Sequence, residues 1–139
     1  MKLWMTRLHA TVYRWSKGRF LGRMGGSPVL VLETTGRHTG RSRRTPVQYL
    51  TVDGTFVVVA SNAGAPRPPA WCLNLRQHLC ARVQVGARTM DVSASEVTGK
   101  ERTALWGRLT ASNRYLESAA RRAGHELPLL ELTPTQNPL

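Results

Sequence analysis

Two stretches of the sequence carry side chains that could bind an anion and a flat ring. The first, Gly36 to Arg44, places four arginines and two glycines between two predicted strands. Guanidinium groups and the free amides of a tight turn both bind phosphate or carboxylate oxygens. A basic loop that is merely solvated would have the same composition, so both interpretations stay open on the residues alone.

The second stretch runs from Ala60 to Asn74 and combines small polar residues, a proline-rich loop and Trp71. A strand that ends in small polar residues, followed by a tryptophan on the first turn of a helix, predicts a wall against which a flat ring could lie. The alternative is that Trp71 closes one end of the fold as part of the core.

The sequence offers little acid–base or metal chemistry of its own. It has no G-x-G-x-x-G after a strand, no nucleophile elbow and no pair of carboxylates placed for hydrolysis. The four histidines have no metal-ligand spacing with one another or with Cys72 and Cys80, so no metal site is expected. If the chain is an enzyme, a bound cofactor should carry the reaction.

The positive charge is concentrated at one end of the chain. Of the formal net charge of +12 over 139 residues, +9 falls in residues 1–44. Such a distribution indicates a nucleic acid, an anionic membrane or a polyanionic ligand as the partner. No DNA-groove or RNA-binding signature supports specific nucleic-acid recognition.

The first 17 residues predict a basic amphipathic helix within a basic N-terminal region, residues 1–24. Trp4, Leu8, Val12 and Trp15 share one helical face, and lysines and arginines occupy the other. Such a helix either docks on its own domain or lies on an anionic membrane. The absence of a signal peptide and the presence of only two cysteines favour a cytoplasmic protein, with peripheral contact at the inner face of the cell membrane as an open alternative.

Apolar periodicity and turn residues predict a single domain, residues 1–139, of the α+β class with mainly antiparallel β structure. Asp53-Gly54 between two strand-like runs is typical of a type I′ hairpin. Hairpin connections predict a small barrel with helices at its periphery. The predicted strands cover 29–32, 45–52, 55–60, 82–85, 90–94 and 128–132, and the predicted helices cover 70–79 and 100–123, with a break near Ser112-Asn113.

Taken together, TTGRHTGRSRRTP at 34–46 and SNAGAPRPPAWCLNL at 61–75 resemble the deazaflavin-dependent nitroreductase family, the actinobacterial oxidoreductases that use coenzyme F420. The resemblance extends over nearly the whole chain. It implies a split β-barrel related to flavin-binding split barrels, and a cofactor, coenzyme F420, that carries a phosphodiester and an acidic polyglutamate tail.

The resemblance also implies site residues. Arg37, His38 and Arg43 would contact the phosphate and the tail, and Ser61 and Tyr115 would be the catalytic residues. His38 stands where the family commonly has lysine, which should weaken tail binding. The remaining residues expected to bind the coenzyme are Thr39, Arg44, Thr45, Pro46, Val47, Gln48, Val59, Ala60, Asn62, Ala70, Trp71, Cys72, Leu73 and Asn74, with Ser61 and Tyr115 also in contact.

The implied activity is hydride transfer from reduced coenzyme F420 to an electron-poor acceptor such as a quinone, an enone or a nitroaromatic compound. Two alternatives remain at this stage. One is a protein that carries or sequesters the coenzyme without turnover, and the other is a basic module for nucleic acid or an anionic membrane. Neither the acceptor nor the oligomeric state follows from the sequence.

Overall fold

Seven strands and three helices make up the part of the chain that the computed structural model describes, residues 23–24 and 27–135. The strands are β1 (Arg23–Met24), β2 (Ser27–Thr35), β3 (Ser42–Val52), β4 (Thr55–Val59), β5 (Cys80–Val85), β6 (Arg88–Val97) and β7 (Leu129–Pro134). The helices are α1 (Ala70–Gln77), α2 (Gly99–Ser112) and α3 (Tyr115–Ala123), and a short 3₁₀ turn spans Asn62–Gly64.

Strand β2 closes the sheet into a barrel because it pairs along both of its edges. The antiparallel order is β2-β3-β4-β7-β6-β5, and β5 pairs back onto β2. Leu32 lies opposite Thr45 of β3 on one side and opposite Val83 of β5 on the other. The antiparallel barrel expected from the sequence is therefore confirmed as a closed barrel of six strands, to which β1 adds a two-residue extension.

The barrel interior holds the main core because side chains alternate in direction along each strand. Leu30, Val58, Val83 and Leu132 come from four different strands and are fully buried together there. Helix α1 closes one end of the barrel by placing Leu75, also fully buried, against this cluster.

A second core lies outside the barrel, between the sheet and two helices. Leu105 and Leu109 of α2 and Leu116 of α3 pack against Val57 of β4 and Leu129 of β7. The break in the predicted helix over 100–123 is confirmed, since α2 ends at Ser112 and α3 begins at Tyr115. We call this break, residues Asn113 and Arg114, the α2–α3 elbow. It lies beside β3, where Asn113 contacts Gln48.

The structure differs from the sequence-based boundaries at several element ends near the candidate site. Strand β2 extends to Thr35 rather than ending at residue 32, and β4 ends at Val59 rather than at residue 60. Strand β3 begins three residues earlier than predicted, so that Arg43 and Arg44 pair with Thr34 and Glu33 instead of lying in the loop. Helix α1 ends at Gln77 rather than at residue 79, because His78 already has an extended backbone with φ of −140°. The helix predicted for residues 1–17 lies outside the described residues.

Within residues 23–24 and 27–135, no helix has the length and the apolar character that a membrane-crossing helix requires.

Two glycines provide a matched test of backbone strain. Asp53 and Gly54 connect β3 to β4 with φ of 52° and 78°, as a type I′ turn requires, whereas Gly107 lies in α2 with open space where a Cβ would stand. Gly54→Ala should destabilise the protein by about 1 kcal/mol, since alanine resists positive φ. Gly107→Ala should stabilise it by about 0.5–1 kcal/mol through helix propensity. Urea unfolding measures both, and equal effects would contradict this account.

Candidate functional site

A cavity of about 340 Å³ lies on the outer side of β3, in the size range of small-molecule sites. It is bounded by β3, by the end of β4 and the turn that follows it, by the start of α1, and by the α2–α3 elbow. Its lining residues are Thr45, Pro46, Val47, Gln48, Tyr49, Leu50, Val59, Ser61, Asn62, Ala63, Pro69, Trp71, Leu109, Ser112, Asn113 and Leu116.

The composition of the lining suits a flat molecule with polar edges. One wall is apolar, with Val59, Leu109 and Leu116, and the rim carries hydroxyl and amide groups such as those of Ser61 and Gln48. No carboxylate, histidine, lysine or arginine is among the lining residues of this cavity in the described part of the chain. The cavity can therefore bind and orient a ligand through hydrogen bonds and apolar contact, but it offers no charged acid or base.

The structure brings together many of the residues predicted from the sequence and separates others from the cavity. The predicted coenzyme-binding residues that line it are Thr45, Pro46, Val47, Gln48, Val59, Ser61, Asn62 and Trp71. Those that do not line it are Arg37, His38, Thr39, Arg43, Arg44, Ala60, Ala70, Cys72, Leu73, Asn74 and Tyr115. Ala60 and Cys72 are buried in the barrel core, so their side chains serve packing.

The basic loop between β2 and β3 is tightly closed on itself. The Gly36 amide donates to the Arg41 carbonyl at 2.7 Å, and the Gly40 amide donates to the Gly36 carbonyl at 2.8 Å. Gly40 has φ of 73°, which favours glycine, and a Cβ on Gly36 would lie 3.1 Å from both the Arg41 carbonyl oxygen and Thr39 Oγ1. This closure leaves the side chains of Arg37, His38 and Arg41 exposed.

Asn74 attaches the loop to α1. This buried side chain accepts two hydrogen bonds on Oδ1, from the Arg37 amide at 3.1 Å and from Arg37 Nη1 at 3.2 Å. Its Nδ2 donates to Thr34 Oγ1 at 3.1 Å. Since both ends of the amide are engaged within the protein, Asn74 positions Arg37 in this structure.

The two consecutive arginines of β3 face opposite sides of the sheet. Arg43 is exposed beside Gly36, and it forms no ion pair with a carboxylate of the described residues. Arg44 forms an ion pair with Glu33 at 3.2 Å through Nη2, and Ser42 also donates to that carboxylate. The Nε and Nη1 atoms of Arg44 are buried and have no hydrogen-bond partner among the described residues.

The turn that follows β4 and lines the cavity is in contact with Arg122 of α3. Arg122 Nη2 donates to the Ala63 carbonyl at 3.3 Å and to the Tyr115 hydroxyl at 2.9 Å. The Arg122 guanidinium also lies over the Tyr115 ring, 5.2 Å from its centroid. Tyr115 therefore lies against Arg122 and is not among the residues that line the cavity.

Apart from Tyr115, the sequence interpretation assigned no site residue to the elbow, although four residues at and beside it line the cavity. Asn113 Nδ2 donates to Gln48 Oε1 at 3.0 Å, and Asn113 Oδ1 accepts from the Tyr115 amide at 3.1 Å. The predicted helix break marked this position, but no pattern in the sequence places it against β3, 65 residues away. Leu109, Ser112 and Leu116 were missed for the same reason.

The two cysteines lie in different environments, and both are free thiols. Cys72 is buried beside Trp71 at the end of the barrel, whereas Cys80 is exposed at the start of β5. Burial raises the pKa of the Cys72 thiol; the nearby Arg76 opposes this shift and Glu96 adds to it. Among the described residues, no group of three or more His, Cys, Asp or Glu side chains could hold a metal ion.

Comparison with known proteins gives consistent matches. Residues 4–134 match the family model described as F420H(2)-dependent quinone reductase. The F420H(2)-dependent quinone reductase Rv1261c of Mycobacterium tuberculosis is 32% identical over 134 residues, which cover 93% of this chain and 89% of the relative.

Solved structures agree with the fold. The structure described as F420-H2 dependent reductase (FDR-A) superposes with a TM-score of 0.69 at 25% identity, covering 76% of this chain and 93% of that chain. A chain described as a domain-swapped dimer superposes with a TM-score of 0.71 at 22% identity, covering 93% of this chain and 96% of that chain. The second likeness supports the fold alone.

The elbow contact can be measured with two substitutions at one position. Asn113→Ala removes both the bond to Gln48 and the cap on the Tyr115 amide, so we expect a loss of about 1–2 kcal/mol in the free energy of unfolding. Asn113→Ser keeps a capping oxygen but cannot reach Gln48, and should recover about half of that loss. Chemical denaturation measures both; identical losses would show that the Gln48 bond contributes nothing.

The thiols should react at very different rates. At about pH 8 iodoacetamide should label Cys80 quickly and Cys72 only after unfolding, because burial excludes the reagent and the raised pKa keeps the Cys72 thiol protonated. Mass spectrometry of the labelled protein checks this expectation. Cys80→Ser is the control and should abolish the rapid phase; rapid labelling that persists in it would contradict the assignment.

Proposed function

The chain belongs to the F420H(2)-dependent quinone reductase family, and from this premise we propose that it binds coenzyme F420 beside β3 and reduces a quinone with it. The observation that carries the proposal is the continuity of two features. Thr45 is the first residue along β3 that lines the uncharged cavity, whose volume suits a ring system. The exposed basic side chains of the preceding loop and strand start, three arginines and one histidine, end two residues earlier at Arg43. A ring with a long acidic tail matches both features at once.

Two details of the structure support the fit of a polyanion. Within the described part of the chain the buried Nε and Nη1 atoms of Arg44 have no hydrogen-bond partner, and an unpaired buried donor is costly until an acceptor reaches it. A Cβ on Gly36 would lie only 3.1 Å from the Arg41 carbonyl oxygen, so a larger residue would disturb the loop that carries the exposed arginines. The residues present therefore fit a ligand that has several anionic oxygens.

The residues take distinct roles in this proposal. Arg37, His38 and Arg43 bind the phosphate and the acidic tail, with Thr39 and Arg44 nearby. Backbone groups of Thr45 and Val47, together with Ser61 and Asn62, hydrogen-bond the polar edges of the ring, and Trp71 and Pro46 contact its faces. Gln48, Val59, Ala60, Ala70, Cys72, Leu73 and Asn74 stay predictions as coenzyme contacts, and the last of them acts here by positioning Arg37.

When bound in reduced form, the coenzyme supplies the hydride. The chain's own contribution is to orient the reactants and to exclude water through the apolar wall of Val59, Leu109 and Leu116. Ser61 can donate a hydrogen bond to a developing oxyanion at the rim. Since no carboxylate, histidine, lysine or arginine is among the described cavity-lining residues, we expect the proton that completes the reduced quinone to come from water.

A coenzyme carrier without turnover would need the same cavity and the same loop, and the lack of charged acid–base groups is compatible with it. Turnover with a quinone distinguishes the two functions. Enones and nitroaromatic compounds stay predictions as further acceptors, as does Tyr115 as a catalytic residue. A cytoplasmic location and contact of residues 1–24 with an anionic membrane also stay predictions.

Binding should depend on the loop charge. We expect wild-type protein to bind coenzyme F420 at micromolar concentrations, more weakly at higher ionic strength, and to reoxidise the reduced coenzyme with menadione. Arg43→Ala should weaken binding by about three- to tenfold, as expected for loss of an exposed charge-assisted contact. Fluorescence titration of the coenzyme measures the dissociation constant.

The matched control is Arg88→Ala. Arg88 is also an exposed arginine, and the β2–β5 register places the β5–β6 hairpin at the opposite end of β2 from the basic loop. Its removal should leave binding within about twofold, the range expected of a screened, distant charge. Absence of coenzyme binding to the wild-type protein would refute the proposal, and binding without reoxidation would establish the carrier instead.

A further inference from the structure

The turn after β4 adopts a conformation that its own residues disfavour. Asn62 and Ala63 both have positive φ, 46° and 56°, although neither is glycine. The left-handed region is unfavourable for alanine, and such strain persists only where surrounding contacts enforce it. Two short bonds close the turn, from the Gly64 amide to the Ser61 carbonyl at 2.8 Å and from the Ala65 amide to the Asn62 carbonyl at 2.9 Å.

Arg122 supplies a contact from outside the turn. Its Nη1 donates to Ser118 Oγ at 2.6 Å, which orients the guanidinium along α3. Its Nη2 donates to the Tyr115 hydroxyl and to the Ala63 carbonyl, and its plane lies over the Tyr115 ring. A single guanidinium thus connects two positions of α3, Tyr115 and Ser118, to Ala63 of the turn.

Gly64 makes this approach possible. A Cβ at that position would lie 2.8 Å from Arg122 Nε and 3.0 Å from Nη2, closer than side chains tolerate. Gly64 also has φ of 83°, which favours glycine. Glycine at position 64 therefore allows the Arg122 guanidinium to lie against the turn, and a larger residue there would displace it.

We propose that Arg122 is a positioning residue that fixes the turn Ser61–Ala63, and with it one wall of the coenzyme cavity. Ser61, Asn62 and Ala63 all line the cavity, whereas Arg122 and Tyr115 do not. Arg122 therefore acts on the ligand through the turn. The proposal rests on the proposed function for the identity of the ligand, but not for the contact itself.

The test compares Arg122→Ala with Arg122→Lys, with Gly64→Ala and with the control Arg121→Ala. Arg121 is the neighbouring exposed arginine of α3, so its removal changes the net charge equally. The first readout is hydrogen–deuterium exchange in peptides that cover residues 61–67, measured without ligand. The second readout is coenzyme binding, measured as the dissociation constant. It is accompanied by the steady-state kinetics of coenzyme reoxidation with menadione, in which the change in the KM for the coenzyme is compared with the change in kcat.

Arg122→Ala should speed exchange of the Gly64 and Ala65 amides and weaken coenzyme binding by about fivefold, a shift of about 1 kcal/mol, with KM raised more than kcat is lowered. Arg122→Lys should recover only part of the loss. Its ammonium keeps the positive charge but cannot reach Ser118, Tyr115 and Ala63 together. Gly64→Ala should reproduce the effect although Arg122 is present. Arg121→Ala should change neither readout.

Unchanged exchange in Arg122→Ala would overturn the proposal, and so would faster exchange with an unchanged dissociation constant. A loss of binding matched by Arg121→Ala would also overturn it, since net charge alone would then explain the result. If wild-type protein binds no coenzyme, the proposed function fails, whereas the exchange measurement still decides whether Arg122 holds the turn.

Discussion

The hydrogen bonding of β2 along both of its edges is the interaction on which the rest of the structure depends. Pairing with β3 on one side and β5 on the other closes the barrel, so that Leu30 and Leu32 are surrounded by side chains of the other strands. Closure also fixes the position of the loop between β2 and β3, since both of its ends belong to paired strands. The basic loop is therefore anchored to a strand whose residues Leu30, Leu32 and Thr34 are buried.

Strand β3 serves the core and the cavity at the same time. Val47 faces the barrel core, and Pro46 and Gln48 alternate with it toward the outside, where α2 and α3 complete a pocket. Because the period of a strand is two, neither face can shift in register without moving the other. The same alternation separates Arg43 from Arg44, so that one arginine is exposed near the loop and the other is paired with Glu33. Consecutive residues of one strand thus contribute to the core, to the lining of the cavity and to the surface charge.

Local signals in the sequence predicted most of the fold. The strand-like run over 45–52, the Asp53-Gly54 turn and the helix break near Asn113 depend on neighbouring residues, and all three are confirmed. The start of β3 was placed wrongly because Arg43 and Arg44 resemble loop residues until Glu33 and Thr34 are known to pair with them. The elbow contact of Asn113 with Gln48 and the contact of Arg122 with Ala63 join residues 65 and 59 positions apart. Such contacts have no local pattern, and the sequence alone could not reveal them.

The buried amide of Asn74 has a consequence for affinity. It connects Thr34 of the barrel to Arg37 of the loop, so folding the core also fixes the loop. A flexible loop would lose conformational entropy whenever it closed around a long, mobile anion, and that loss would weaken binding. In the proposed complex the loop backbone is already ordered, so the entropy lost on association would come mainly from the tail of the ligand and from the exposed arginine side chains. Selection for tighter binding at this site would then act on the number of anionic groups contacted rather than on the order of the loop.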